Sequence, residues 1–345
     1  MSALFSSAAE AWVFGAALVL AAGALTAVLA LLLAPLLRKY ALARPNARSS
    51  HVVPTPQGGG IAVIAATIAV ALFAGIGVSG LGANTALYLT PLLATVFLAI
   101  VGAIDDIRTL AAGPRLLLQA VAVGAAIAVL PPELQVLPAI PWWLERSVLL
   151  LAGLWFVNLT NFMDGIDGMT VAELVPVTGG LVAIGLLGAL PPFAIVIALC
   201  LCGAMLGFAP FNLPTARLFL GDVGSLPLGL LLGWLLLLLA LSGHFAAAVI
   251  LPLYYLADAT ITLIRRALAG ENLSQAHRRH FYQQAFDGGW SAPRIAGRVF
   301  AVNLALVVFA AATVAVPHPA VIALALAASA GLVGWLLYSF ARVKR

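Results

Sequence analysis

Charge is scarce in this sequence. Of 345 residues only 8% are Asp, Glu, Lys or Arg, against 63% that are hydrophobic. A soluble domain carries about a quarter charged residues, and so few charges cannot cover a water-exposed surface of this size. The surrounding medium is therefore mostly lipid. Cysteine is scarcer still. Cys200 and Cys202 stand two apart in an apolar run, and helical side chains at that spacing point away from each other. That argues against a disulfide between them and favours two small core residues. No basic segment precedes the first apolar block at 11–35, which argues against a cleaved leader. Short alternating segments of the kind that build a membrane barrel are absent, and so is a GxxxxGKS/T phosphate loop.

What is present is a series of Leu-, Ala- and Val-rich blocks, each near the roughly 20 residues a helix needs to cross the hydrocarbon core. They fall at 12–35, 60–80, 87–104, 114–131, 147–162, 171–189, 191–209, 225–242, 244–265, 295–316 and 319–340. Lipid offers nothing to loose backbone groups, so the expected fold is an all-α polytopic bundle of about 11 transmembrane helices, one domain over 1–345. The thinnest boundary is 188–192, and Pro252 and Asp258 interrupt the ninth block. With the N-terminus outside and the C-terminus inside, every Lys and Arg except Arg146 falls on the inner face, as the positive-inside rule requires. The formal charge of +5 is this topological asymmetry and calls for no nucleic acid. Trp142 and Trp143, in an outer loop, fit an interfacial aromatic belt.

The inner loops (36–60, 104–114, 158–173, 209–225 and 266–294) hold most of the 12 acidic residues. An acid at a helix end is a solvated cap or an arginine partner as readily as a functional group. Ionisable groups in so apolar a chain are nonetheless costly and mark function. Asp105 and Asp106 end the third span; adjacent residues point about 100° apart on a helix, so one of them faces any given site. Asn158, Asn161, Asp164 and Asp167 repeat a polar side chain every third position, which places them on one helical face. Such a ladder either reads the hydrogen-bonding edges of a base or sugar or closes an interhelical network. Asp222 is expected in a glycine-rich loop that also offers Asn212, Arg217 and Ser225. One or two carboxylates with substrate phosphates and waters is how magnesium is usually held, which suits Asp222 with Asp106 as metal ligands. Asp258 is the one carboxylate expected deep in a span.

Two basic loops complete the inner face: Arg44, Arg48 and His51 in the segment 44–60, and His277, Arg278, Arg279 and His280 in the segment 277–286. The i,i+3 histidines resemble metal spacing, but zinc wants Cys or further His. Arginines beside other donors suit a diphosphate; a loop touching lipid headgroups is the plainer account.

Five segments, RSSHVVPTPQGGG, GAIDDIRTL, NLTNFMDGIDGM, FNLPTARLFLGDVGS and HRRHFYQ, occur in order within residues 44–286. Together they resemble the polyprenyl-phosphate N-acetylhexosamine-1-phosphate transferases of glycosyltransferase family 4. These include the peptidoglycan enzyme that makes lipid I and the initiators of O-antigen and enterobacterial common antigen. Lipid I enzymes carry consecutive histidines, whereas two arginines separate His277 from His280 here, so the resemblance is closer to the O-antigen branch. It implies Asp105 and Asp106 near an acceptor phosphate and Asp222 on magnesium, with manganese as a substitute. It further implies Asp164 and Asp167 on the nucleotide side and His280 on a diphosphate. The implied substrates are undecaprenyl or another polyprenyl phosphate and a UDP-N-acetylhexosamine, at the cytoplasmic side of the inner membrane among its lipids. A homodimer is compatible with the same resemblance. The alternative from another class is a secondary transporter. It would carry ionisable residues near the midplane on broken helices in paired repeats, and no internal repeat is visible.

Overall fold

The computed structural model describes residues 8–43, 54–77, 85–273, 275 and 277–343. The expected site residues Arg48 and His51 lie outside the described residues. Among those described, thirteen helices follow in chain order: α1 (Ala8–Tyr40), α2 (Gly60–Gly77), α3 (Thr85–Ile107), α4 (Ala112–Ala128), α5 (Trp142–Met163), α6 (Met169–Ile184), α7 (Pro192–Asn212), α8 (Asp222–Leu241), α9 (Phe245–Ile250), α10 (Leu253–Leu268), α11 (Phe281–Asp287), α12 (Ala292–Ala315) and α13 (Pro319–Ala341). Each of the eleven apolar blocks contains helix. Eight helices are long and apolar enough to cross a membrane, with α2 and α4 as shorter apolar helices; the chain is a multi-pass membrane protein.

Two blocks differ in detail from expectation. The ninth is broken at Pro252 into α9 and α10, because proline has no N–H for the ladder and its ring collides with the preceding turn. At the thin sixth-to-seventh boundary, α6 runs into a π-helical turn at Gly185–Ala189, and Gly188 takes φ +92° there before Pro192 starts α7.

The bundle is built around α8, whose apolar window is 89% buried, compared with 22% for α1 and 28% for α13. It packs on α2, α3, α5 and α9. Two of these approaches are backbone to backbone. A Cβ on Gly102 of α3 would sit 2.2 Å from the Asp222 carbonyl oxygen, and one on Gly60 of α2 would sit 2.2 Å from Gly224 Cα. Only hydrogen at these positions lets the helices close, and the closure brings the end of α3 against the start of α8.

A small hairpin finishes this end of the bundle. β1 (Leu42–Ala43) and β2 (Thr55–Pro56) pair antiparallel, Leu42 opposite Pro56 and Ala43 opposite Thr55. The strand then runs beside Phe219: the Phe219 N–H donates to Pro56 O at 2.8 Å and the Gly59 N–H to Phe219 O at 2.8 Å. Gln57 is thereby held over the junction of α3 and α8, its Nε2 donating to Asp106 O at 3.2 Å.

Candidate active site

The ends of α3, α5, α8 and α10 and the segments between them enclose a cavity of about 890 Å³. Its polar lining includes Asp106, Arg115, Asn161, Asp164 and Asp222, and its apolar lining includes Leu116, Leu154, Trp155 and Leu263.

Asp222 is not in a loop, as expected from its glycines, but is the first residue of α8. The φ of +76° at Gly221 turns the chain into the helix, a conformation that favours glycine. The first amides of a helix have no intrahelical partner, and here Asp106 supplies one. Its Oδ1 accepts from the Asp222 N–H and its Oδ2 from the Val223 N–H, both at 3.0 Å. Asp106 thus caps α8 from another helix and sets the position of Asp222. The Asp222 carboxylate accepts from Asn161 Nδ2 at 2.8 Å through Oδ1, and the same amide donates to Ser225 Oγ at 2.8 Å.

Asp105 is not among the residues that line the cavity. Its carboxylate accepts from the Leu110 N–H at 2.6 Å and from Arg115 Nη1 at 2.9 Å. Arg115 Nη1 also stands 3.8 Å from Asp222 Oδ2, so one guanidinium lies between the two carboxylates. In the sequence Arg115 reads only as a topological charge. Its placement comes from the tight turn between α3 and α4, for which no periodicity gives a signal.

The expected four-rung ladder is a ladder only for its first half. Asn158 and Asn161 lie on α5, which ends at Met163, and Asp164 and Asp167 lie in the following turn. All four line the cavity. Asn158 Nδ2 donates to Gln119 Oε1 at 2.7 Å, while Asp167 Oδ2 accepts from the Ala216 N–H at 2.9 Å. Asp164 accepts from the Thr170 hydroxyl. Burial above all, then the charges of Asp106 and Asp167, push its carboxyl up to about 6, against the Thr170 bond that lowers it. Asn212 ends α7 and joins the turn to it, its Oδ1 accepting from the Gly168 N–H at 3.0 Å.

His277 and His280 also line the cavity, with ring centroids 4.9 Å apart. Burial, then the charges of His280 and Arg266, lower His277 to about 4. Arg266 holds the segment that carries them, donating from Nε to Glu271 at 3.1 Å and from Nη2 to Asn272 O at 2.7 Å.

Three expected anion contacts do not line the cavity. Arg217 packs over the Phe211 ring and donates to Pro210 O at 2.9 Å. Arg278 pairs with Asp287 at 2.7 Å, and Arg279 pairs with Glu271. Residues missed in the sequence but lining the cavity include Gln57, Arg115, Trp155, Arg266 and Tyr282. Nor is Asp258 the one deep carboxylate. Glu173 on α6 is also fully buried, its Oε2 accepting from Asn303 Nδ2 of α12 at 2.7 Å.

Among the described residues no three acidic, histidine or cysteine side chains converge as a ready-made metal cage. Magnesium does not ask for one: it takes one or two carboxylates and fills its octahedron with waters and substrate oxygens. The carboxylates of Asp222 and Asp106 and the Ser225 hydroxyl offer hard oxygens at this junction, and Arg115 is the guanidinium that pairs with Asp105 and stands 3.8 Å from Asp222. The residues present fit that ion.

A model of the family described as glycosyl transferase family 4 matches residues 88–240. The match takes in both sides of the Asp106–Asp222 junction and stops short of His277 and His280. The chain is 32% identical to a phospho-N-acetylmuramoyl-pentapeptide-transferase of Synechococcus sp. (strain JA-3-3Ab), over 82% of this chain and 87% of that protein. It is 30% identical to a decaprenyl-phosphate N-acetylglucosaminephosphotransferase of Mycolicibacterium smegmatis, over 75% of this chain and 71% of that protein.

Proposed function

The chain belongs to glycosyl transferase family 4, and from that premise we propose that it moves a sugar-1-phosphate of N-acetylhexosamine type from a UDP-sugar to a polyprenyl phosphate such as undecaprenyl phosphate. The products are a polyprenyl-diphosphate sugar and UMP, and the step initiates a cell-surface glycan of the O-antigen kind. The observation that carries the reading is one cavity lined both by carboxylates with Arg115 and by the apolar side chains Leu116, Leu154 and Leu263. A soluble nucleotide sugar and a lipid that travels within the bilayer both need such a place. An N-out, C-in arrangement of the eleven expected spans would put this cavity at the cytoplasmic face of the inner membrane, where nucleotide sugars are found.

In the reaction an oxygen of the acceptor phosphate forms a bond to the sugar-bearing phosphorus, and the bond from that phosphorus to the bridging oxygen breaks, releasing UMP. A phosphate monoester has a second pKa of about 6, so the acceptor arrives largely dianionic and needs no base. The protein's task is positioning and charge neutralisation. Arg115, steadied by Asp105, orients the acceptor phosphate. Asn161 and Asp106 hold Asp222 in place. Asn158, Asp164, Asp167 and Asn212 shape the nucleotide side. Asp222, with Asp106 beside it, would hold magnesium, which when bound offsets the charge on the diphosphate oxygens.

The test is UMP release by detergent-purified protein given magnesium, polyprenyl phosphate and a panel of UDP-amino sugars. Release is expected to require both lipid and metal and to vanish in Asp222→Asn without loss of fold. Wild-type turnover by that variant would refute the metal assignment. Accumulation of substrate in vesicles without UMP release would mark a transporter instead.

A further inference from the structure

Asp258 has no part in the mechanism above, yet several hydrogen bonds converge on its carboxylate. It lies on α10 and is 0% exposed. Its Oδ1 accepts from the Phe281 N–H at 3.0 Å, and its Oδ2 accepts from the Tyr282 N–H and the Tyr254 hydroxyl, each at 3.3 Å. The Thr262 hydroxyl reaches Oδ1 at 3.4 Å, and His280 Nδ1 reaches the same oxygen at 3.2 Å. The two amides are the first of α11, so the carboxylate fastens α11 to α10. A hydrophobic contact would do the fastening without the cost of burying a charge. What it would not do is act on His280.

An ionised carboxylate only accepts hydrogen bonds. The Phe281 and Tyr282 amides can only donate, one to each oxygen, so this cradle favours Asp258 as an acceptor and with it the tautomer of His280 that donates from Nδ1. The imidazole lines the cavity, and Nε2 is the nitrogen left to meet a ligand there. Ring rotation offers no escape from this arrangement. His277 lies against the ring at a centroid distance of 4.9 Å, Tyr282 is stacked on it at 5.8 Å, and Phe162 is at 6.3 Å.

We infer that Asp258 is a positioning residue for His280, fixing its ring as the Nδ1–H form so that Nε2 is presented to a diphosphate oxygen of the donor. The inference rests on the transferase reading for the identity of the ligand, but the Asp258–His280 relation itself does not. With a phosphate oxygen at Nε2, the ring bridges two acceptors, donating to Asp258 on one side and to the substrate on the other.

The experiment has two arms. In the first, the full-length protein is labelled with nitrogen-15 at its 5 histidines, placed in lipid nanodiscs without substrate, and the His280 ring signals are assigned by their loss in His280→Gln. Nδ1 is expected to carry the proton in the wild type and to lose it in Asp258→Asn. A wild-type Nδ1 without a proton overturns the proposal, and this spectrum decides even where Asp258→Asn does not fold. The second arm is a double-mutant cycle on UMP release. Asp258→Asn is expected to lower kcat/KM on the order of 10- to 100-fold, as when the partner orienting a functional imidazole is removed, and to cost little more once His280 is Gln. An equal loss in both backgrounds would mean that Asp258 serves the fold alone, overturning the proposal. Failure of the wild type to release UMP from any donor would instead defeat the transferase reading, with the proton position still deciding the Asp258–His280 pair.

Discussion

Replacing Asp164 by Asn should make the protein more stable and less active, and the stability gain should depend on pH. Burial raises the Asp164 carboxyl from an ordinary 3.8 to about 6. The sign follows from linkage. An acid whose folded pKa is raised contributes stability that is fully present below the unfolded value and is lost as pH climbs through the folded one. The window here is pH 3.8 to about 6. Each pH unit of displacement corresponds to about 1.4 kcal/mol, so a displacement of roughly two units (6 − 3.8) gives a ceiling of about 3 kcal/mol. The carboxyl borders the cavity, and water there screens it, so the expected gain is about 1–3 kcal/mol at pH 8. Asn keeps the oxygen that accepts from Thr170, so that bond survives. The assay is thermal unfolding of wild type and variant in detergent, free of substrate and metal, from pH 4 to pH 8. The two curves should nearly coincide at pH 4, separate in favour of the variant as pH rises to about 6, and stay apart by a constant amount above it. A variant no more stable at pH 8, or more stable by the same amount at every pH, would refute the reasoning.

Three further outcomes are expected. Arg115→Gln removes the cation between Asp105 and Asp222; a charge-assisted hydrogen bond contributes about 1.5–3 kcal/mol, so kcat/KM for the lipid phosphate should fall on the order of 10- to 100-fold, measured by varying that substrate. Gly102→Ala places a Cβ 2.2 Å from the Asp222 carbonyl oxygen, and overpacking of this kind costs about 1–3 kcal/mol; the unfolding midpoint and UMP release should both drop, and a fully active variant would contradict the close α3–α8 contact. Removing divalent metal with a chelator should abolish turnover and leave the fold intact, with magnesium and then manganese tested for recovery.

Hydropathy told where helices lie and little about which of them is central. Mean apolarity is nearly the same for α8 and α13, yet one is enclosed and the other faces lipid, because lipid and protein interior make the same demand on a side chain. The break at Pro252 was signalled by proline chemistry, and the acid-bearing ends by the rarity of charge. The partnerships were not legible. Asp106 with the first amides of α8, Asn161 with Asp222, and Asp258 with His280 all join positions far apart in the chain, where no period or spacing connects them. Arg115 illustrates the limit in the other direction: a residue counted for orientation stands between two carboxylates once the α3–α4 turn is formed. Arg217, Arg278 and Arg279 show that a cation in a suggestive motif is often already engaged with its own neighbourhood.

The capping of α8 by Asp106 spans 116 residues of sequence, and this has a bearing on biosynthesis. At roughly 5–20 residues per second of translation, α3 waits on the order of ten seconds in the membrane before the amides it will hold have been made. A carboxylate is costly to carry into hydrocarbon, so Asp105 and Asp106 would hold the end of α3 at the water boundary through that interval. Asp222 acquires its place only when α8 arrives and closes on Gly102. A chain halted before that point carries its acids but no assembled site, so an unfinished copy would occupy membrane without competing for nucleotide sugar.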